Sequence, residues 1–370
     1  MIAALDACGN ASSVHAAGRA ARARIETARD RVAKLAGAQS ASVAFTSGGS
    51  EANALALRGA CTGAALAKKR MVTRVFISAA EHESVRANAA AVAETSPGLK
   101  LREIPVTRDG TLDLGALRLH LMQGKGRVLV SVMAANNETG VLQDIRGVAK
   151  LLRSEGGEDA LLHVDAVQAA GRVALSFERS GADYMTLSAH KLGGPHGAGA
   201  LLVRDGAPLS PLIAGGGQEM RRRSGTENVA AIAGFGAAAE EAADFVDGMA
   251  RIRIQRDRFE AALKALAPQV VIFGAGAERL PNTCNFAIPG LAAETALIAL
   301  DLDGVAVSSG SACSSGKVKP SHVLAAMGVT EDMARSGLRV SFGWSSGDED
   351  VDAAIASLRK LLARRAVLAA

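Results

Sequence analysis

Val43-Ala44-Phe45-Thr46-Ser47-Gly48-Gly49-Ser50-Glu51 runs from three apolar residues through a polar turn into the start of a helix. It reads as one strand–turn–helix unit, and the same alternation recurs along the chain to about residue 245. Strands are expected at 43–45, 74–78, 101–106, 128–134, 161–165, 184–188 and 199–203. Helical patterns fall between many of them, at 19–36, 51–58, 84–94, 114–122 and 145–154. Strands separated by helices argue for an α/β fold with a mostly parallel seven-stranded sheet, covered on both faces. A long helical pattern, open to a break, then runs from about 226 to about 266. Strands at 270–273, 283–287 and 305–308 and helices at 293–302, 320–327 and 348–362 describe a smaller α+β domain. Residues 10–245 are therefore assigned to a large domain, and 246–370 together with 1–9 to the smaller one.

With 370 residues, 49% of them hydrophobic, the chain is long enough to bury two cores. Aromatic residues make up only 3%, so platforms for stacking bases are scarce. The net charge of +5 gathers in Arg221-Arg222-Arg223 and Lys68-Lys69-Arg70, which read as solvated faces or small-anion sites. No nucleic-acid partner is expected. Apolar runs fall short of a membrane span, and residues 1–10 lack a basic leader and a cleavage pattern. A cytoplasmic protein without a membrane partner is expected. Cys8, Cys61, Cys284 and Cys313 are widely scattered and match neither a zinc spacing nor a disulfide framework.

Cys313 has unusual surroundings, Ser308-Ser309-Gly310-Ser311-Ala312-Cys313-Ser314-Ser315-Gly316. Small flexible residues leave a sulfur little to pack against, whereas a free cysteine is usually a buried small hydrophobe. Such a thiol becomes a nucleophile only if other residues supply an electrophile for it.

Open α/β sheets place ligands at the carboxyl ends of their strands. Lys191, in Ser188-Ala189-His190-Lys191-Leu192-Gly193-Gly194-Pro195, follows a strand. It is either a surface lysine or an amine held to form a Schiff base with an aldehyde cofactor. Asp165 ends the strand Leu161-Leu162-His163-Val164-Asp165, with Gln168 three residues on. A carboxylate there either caps the next helix or keeps a pyridine nitrogen protonated. Thr46 to Glu51 offers glycines and a helix amino end that suit a phosphate, or else a capping box alone. His82, in Glu81-His82-Glu83, can stack on a flat ring and move protons, and Asn136-Asn137-Glu138-Thr139-Gly140 adds amides after another strand. Lysine, aspartate, anion nest and imidazole together fit pyridoxal 5′-phosphate.

At these residues the chain resembles the cysteine desulfurases, in the class V aminotransferase branch of the fold-type I pyridoxal-phosphate enzymes. Asn10-Ala11-Ser12-Ser13-Val14-His15, Arg223-Ser224-Gly225-Thr226 and the Cys313 segment carry the resemblance with the motifs above. The spacing from Cys313 to Lys319-Pro320-Ser321-His322 resembles the subgroup whose cysteine rides on a long mobile loop.

The resemblance implies that Lys191 forms the Schiff base and moves the α-proton, while Asp165 pairs with the ring nitrogen. It implies that Gln168 bonds the ring hydroxyl and that Asn137 lies close to it and to the substrate carboxylate. His82 would stack on the ring, and Gly49, Ser50, Ser188 and His190 would hold the phosphate. Thr226 would reach the phosphate of a partner in a homodimer. Arg339, in Leu338-Arg339-Val340-Ser341-Phe342-Gly343, would bind the carboxylate of L-cysteine, a task suited to a planar guanidinium. Cys313 would take the sulfur as a persulfide and leave L-alanine, with Lys317 and Lys319 favouring its thiolate. The sulfur would pass to an acceptor such as an iron–sulfur scaffold protein. No intrinsic metal site is implied, and Cys313 is open to transient ligation of an iron–sulfur cluster.

Family members open with a short Leu-Asp strand and an Asn-Ala-Thr-Thr-like stretch that lines the substrate site. Residues 1–8 here read as the helix that follows those elements, and Leu5-Asp6 is not assigned to that motif. A selenocysteine lyase or an aminotransferase of the same fold shares the cofactor residues. A catalytically impaired sulfur-assembly scaffold is the reading of a different class.

Overall fold

The computed structural model describes residues 1–6, 9–66, 71–309 and 320–369. Cys8, the cluster Lys68-Lys69-Arg70, and Cys313 with Lys317 and Lys319 lie outside the described residues. The chain divides into two compact units. Met1–Ile104, Leu112–Ala135 and Gln143–Val246 form the first, and Pro105–Thr111, Asn136–Leu142 and Asp247–Ala370 the second.

Three assignments from sequence need correction, the first being Pro105–Thr111, which joins the second unit. The helix Ile2–Leu5 packs on the helix Val229–Phe245, which puts the amino end with the first unit rather than the second. Residues 136–142 belong to the second unit because the backbone pairs them with it. Leu142 N–H donates to the Glu278 carbonyl at 2.8 Å, and Leu280 N–H to the Gly140 carbonyl at 2.7 Å. Asn137 therefore leaves the large domain.

The first unit is built on a seven-stranded sheet. Its strands are β1 (Val43–Thr46), β2 (Val72–Ser78), β3 (Lys100–Ile104), β4 (Arg127–Met133), β5 (Leu161–Asp165), β6 (Tyr184–Ser188) and β7 (Gly199–Val203). They lie in the order β1-β7-β6-β5-β4-β2-β3. Strands β3, β2, β4, β5 and β6 pair in parallel, while β7 runs antiparallel to both neighbours. The carboxyl ends of β1, β2, β4, β5 and β6 consequently share one edge. Gly199, the first residue of β7, pairs there with both Ser188 and Thr46.

Apolar burial holds this arrangement. Leu55, Leu57, Val85, Ala89, Leu129, Tyr184 and Leu201 belong to one core cluster that joins the helices Gly49–Leu66 and Glu83–Thr95 to the sheet. A polar row crosses the middle of the sheet. His163 of β5, fully buried, bonds Ser131 Oγ of β4 at 2.8 Å and Thr186 Oγ1 of β6 at 3.0 Å. Burial pushes its imidazole down to about 3, so the ring is neutral.

The second unit carries a four-stranded antiparallel sheet of β8 (Val271–Ile272), β9 (Thr283–Ala287), β10 (Ser308–Ser309) and β11 (Gly337–Ser341), in the order β10-β11-β9-β8. Sequence reading found three strands here and took 338–343 only as a substrate motif. Buried Leu338 and Val340 flank half-buried Arg339, and pairing with β10 on one side and β9 on the other makes β11 a central strand. The long helical pattern splits into Val229–Phe245 and Met249–Leu266 around a short turn, Val246–Gly248.

Candidate active site

Three turns meet at the carboxyl edge of the first sheet. Thr46-Ser47-Gly48 leads from β1 into the helix Gly49–Leu66. Glu51 reaches back to accept from Ser47 N–H at 2.8 Å and from Arg223 Nε at 3.0 Å. Glu51 thus ties the turn before the helix to Arg223. A Cβ on Gly49 would lie 3.1 Å from Val167 Cγ2 and 3.4 Å from Ser188 Cβ, so the turns after β5 and β6 close on this glycine. A Cβ on Gly199 would lie 2.5 Å from the Gly48 carbonyl carbon, closer than real contacts allow. A Cβ on Gly48 would meet nothing within 4 Å among the described residues, so the helix amino end faces open space beside exposed Ser50.

Asp165 closes β5 and is buried. Its Oδ2 accepts from Asn53 Nδ2 at 2.7 Å and its Oδ1 from Val167 N–H at 3.0 Å. Burial raises its carboxyl above the usual range, opposed by those two bonds and by the nearby His82. Asn53 Nδ2 also donates to Ser84 Oγ at 2.9 Å. Ser84 lies 2.8 Å from His82 Nδ1 through its hydroxyl, and its N–H donates to the same nitrogen at 3.1 Å. Accepting at Nδ1 leaves the proton of a neutral His82 ring on Nε2. His82 itself is exposed and caps the helix Glu83–Thr95. Behind it Glu81 is fully buried and accepts from Met133 N–H at 2.6 Å. Burial and the charge of Asp165 push the Glu81 carboxyl well up.

After β6 the chain makes a short turn, Ala189–Leu192, that exposes His190 and Lys191. Ser188 Oγ bonds His190 Nδ1 at 2.9 Å, and the His190 ring stacks on His196 with centroids 5.4 Å apart. Burial, Lys191 and His196 together lower the His190 imidazole. Arg172 joins this turn to the one after β5. Its Nη1 donates to the Gln168 carbonyl at 2.8 Å and its Nη2 to the Lys191 carbonyl at 3.0 Å.

Glu219 approaches from a turn with left-handed backbone at three successive residues, Glu219, Met220 and Arg221, at φ 46°, 54° and 64°. Its carboxylate takes Arg29 Nη1 at 2.7 Å, Arg29 Nη2 at 3.1 Å and Phe45 N–H at 2.8 Å. Thr226, a few residues later, is exposed.

In the second unit, Arg339 of β11 is half-buried and its Nη1 donates to the Asn137 carbonyl at 2.7 Å. Its Nε is buried with no hydrogen-bond partner among the described residues. Asn137 and Arg339 are thus joined to each other.

The residues of the first unit fit a pyridoxal phosphate. A carboxylate buried like that of Asp165 calls for a protonated nitrogen beside it, and a pyridinium N–H is one. The opening before Gly49 suits a dianion at a helix amino end. Asn53, Ser84, Glu81 and Arg172 were missed from sequence. Each lies on a helix or turn that only the packed sheet brings to the edge. Among the described residues, no group of three or more His, Cys, Asp or Glu is placed to hold a metal ion, and no helix is long and apolar enough to cross a membrane.

Residues 4–354 match the family model for aminotransferase class-V. The cysteine desulfurase IscS of Dictyoglomus turgidum is 38% identical over 355 residues, which cover 96% of this chain and 87% of that protein. A solved NifS-like protein from Rickettsia africae is 36% identical with a TM-score of 0.86, covering 98% of this chain and 94% of that one. SspA, solved in complex with cysteine, is 27% identical with a TM-score of 0.77, covering 91% of each chain. The chain belongs to the class-V aminotransferase family, in its cysteine desulfurase branch.

Proposed function

We propose that this protein is a pyridoxal-phosphate-dependent cysteine desulfurase. It converts L-cysteine to L-alanine, keeps the sulfur as a persulfide on Cys313, and passes it to an acceptor such as an iron–sulfur scaffold protein. The observation that carries this reading is the meeting of the Thr46–Glu51 turn, Asp165 and the Ser188–Lys191 turn at one sheet edge.

The family depends on pyridoxal phosphate. Lys191 would hold it covalently, and Gly49, Ser50, Ser188 and His190 would hold its phosphate. Gln168 and Asn137 would face the ring hydroxyl, and His82 would cover the ring. When bound, the cofactor supplies an electron sink for the charge left on the substrate α-carbon.

The protein's own groups then divide the work. Asp165, held by Asn53, keeps the ring nitrogen protonated. The Lys191 amine takes the α-proton and later returns a proton. Arg339 grips the substrate carboxylate through paired N–H groups. The Cys313 thiolate attacks the substrate sulfur, so that an S–S bond forms as the C–S bond breaks, with the electron pair leaving toward the substrate carbon. Protonation there completes L-alanine, and thiol plus cysteine equals persulfide plus alanine. Thr226, exposed in this chain, is proposed to reach the phosphate bound by a partner subunit in a cytoplasmic homodimer.

The test is an assay of alanine and sulfide from L-cysteine, with a thiol reductant, for the wild type, Cys313→Ser and Lys191→Ala. Loss of both products in both variants is expected. Sulfide released at the full rate by Cys313→Ser would overturn the persulfide step. In parallel assays supplied with L-selenocysteine or with a 2-oxo acid, selenide release without sulfide release from L-cysteine would turn the reading to a selenocysteine lyase, and amino transfer to the 2-oxo acid to an aminotransferase. A wild type that binds cofactor yet releases no alanine would leave the scaffold reading.

A further inference from the structure

Glu138 has no role in the chemistry above, yet it is buried beside the residues proposed to take the substrate carboxylate. Its N–H donates to Asn136 Oδ1 at 2.9 Å, and its carbonyl accepts from Asn285 Nδ2 of β9 at 3.1 Å. Its backbone is therefore fixed from both sides. Its Oε2 accepts from Ser321 Oγ. Ser321, also buried, accepts in turn from Leu324 N–H at 3.1 Å and caps the helix His322–Ala326. From β11 the charge of Arg339 acts on the carboxyl. Ser321 and Asn285 are neutral, so Arg339 is the charged group among these neighbours.

We propose that Glu138 is a positioning residue for substrate binding: its carboxyl group, fixed by Ser321 and acting on Arg339, sets how strongly the guanidinium attracts an amino-acid α-carboxylate. The inference rests on the reading of Arg339 as the carboxylate site. With Glu138 neutral, the charge of Arg339 is uncompensated and is available to an incoming carboxylate. With Glu138 ionised, two carboxylates compete for one guanidinium in a partly desolvated place. Burial pushes the Glu138 carboxyl up to about 7, against the pull of Ser321 and Arg339, so both states are populated near neutrality. Linkage fixes the signs. The anionic substrate binds the protonated form more tightly, so binding draws a proton onto Glu138, and affinity weakens as pH rises through that value.

The experiment compares holoenzymes with pyridoxal phosphate bound: wild type, Glu138→Gln, Ser321→Ala and Arg339→Ala. L-Alanine serves as the equilibrium probe, because it carries the carboxylate without the thiol. Its Kd is read from the change in the cofactor spectrum between about pH 6 and about pH 8.5, beside kcat and KM for L-cysteine. The titration of the amino group is common to all variants and drops out of the ratios. Wild type and Glu138→Gln should bind alike at the acid end. At the alkaline end Glu138→Gln should bind about three- to tenfold more tightly, with kcat changed far less than KM. Ser321→Ala removes a bond that lowers the pKa of Glu138, so its loss of affinity should move to higher pH. A ratio of wild type to Glu138→Gln that stays flat with pH, while Arg339→Ala weakens alanine, overturns the proposal and leaves the Arg339 reading standing. Alanine binding unaffected by Arg339→Ala overturns both. If Glu138→Gln does not fold, the shifted profile of Ser321→Ala decides, and an unshifted one overturns the proposal.

Discussion

Asn53 grips Asp165, with its Nδ2 lying 2.7 Å from the carboxylate Oδ2. The bond opposes the burial that pushes the Asp165 carboxyl up. Asn53→Leu removes it, so the carboxyl rises further and stays protonated to higher pH. The acid limb of kcat/KM should move to higher pH, and the rate near neutrality should fall about tenfold, the size of one hydrogen bond to a charged group. A limb that stays in place would show that Asn53 does not govern the charge of Asp165.

Arg29 and Glu219 form a buried bidentate pair beside β1. Glu219→Ala takes the bidentate partner from a buried guanidinium that keeps only Glu26 and the Val43 carbonyl, and should lower stability by about 3 kcal/mol, read as an earlier midpoint in urea. The double variant Arg29→Met with Glu219→Leu should lose less, because neither charge is stranded. Arg221 in the same turn has φ 64° and an exposed side chain, so Arg221→Gly should gain about 1 kcal/mol.

Gly199→Ala tests the close approach of β7 to Gly48. The added methyl meets the Gly48 backbone at 2.5 Å and must displace the turn that opens the helix Gly49–Leu66. Overpacking of this kind costs about 1–3 kcal/mol. Weakened binding of pyridoxal phosphate to the apoenzyme, with far-ultraviolet dichroism unchanged, is the expected signature. Unaltered cofactor affinity would separate the turn from the phosphate.

Cys61 and Cys284 are buried, and burial pushes the Cys61 thiol up to about 12 and the Cys284 thiol well above its ordinary value. Neither supplies thiolate near neutral pH. Cys61→Ala and Cys284→Ala should each keep turnover within about twofold, and in the folded wild type both should resist iodoacetamide until denaturant is added. Rapid labelling of Cys284 without denaturant would refute this.

The parallel sheet was legible because its inner strands are short apolar runs closed by turns, and 161–165 and 184–188 were found to the residue. Asp165, Lys191 and the Gly48-Gly49 turn were legible for the same reason, since they stand at strand ends. Asn53 and Ser84 were not, because each is an ordinary polar residue on a helix. Only the packing of the helices Gly49–Leu66 and Glu83–Thr95 brings them to Asp165 and His82. Strand β11 was hidden by its content, since Arg339 drew notice for its charge and the alternation around it did not. The break at Val246–Gly248 carries neither proline nor an abrupt change of pattern, so the long helix read as nearly continuous.

The row formed by Ser131, His163 and Thr186 bears on how freely this sheet can change. A neutral imidazole has one N–H, so one hydroxyl donates to it and the other accepts, and the row has a direction. Slipping β5 by one residue against either neighbour would strand three buried polar groups, whereas its apolar contacts would re-form with some partner. Alignment of Asp165 with Met133 and Thr186 is therefore specified by polar atoms rather than by the shape of the core. Valine, leucine and alanine around it are left free to drift, and the place where Asp165 emerges stays constant while the interior is rewritten.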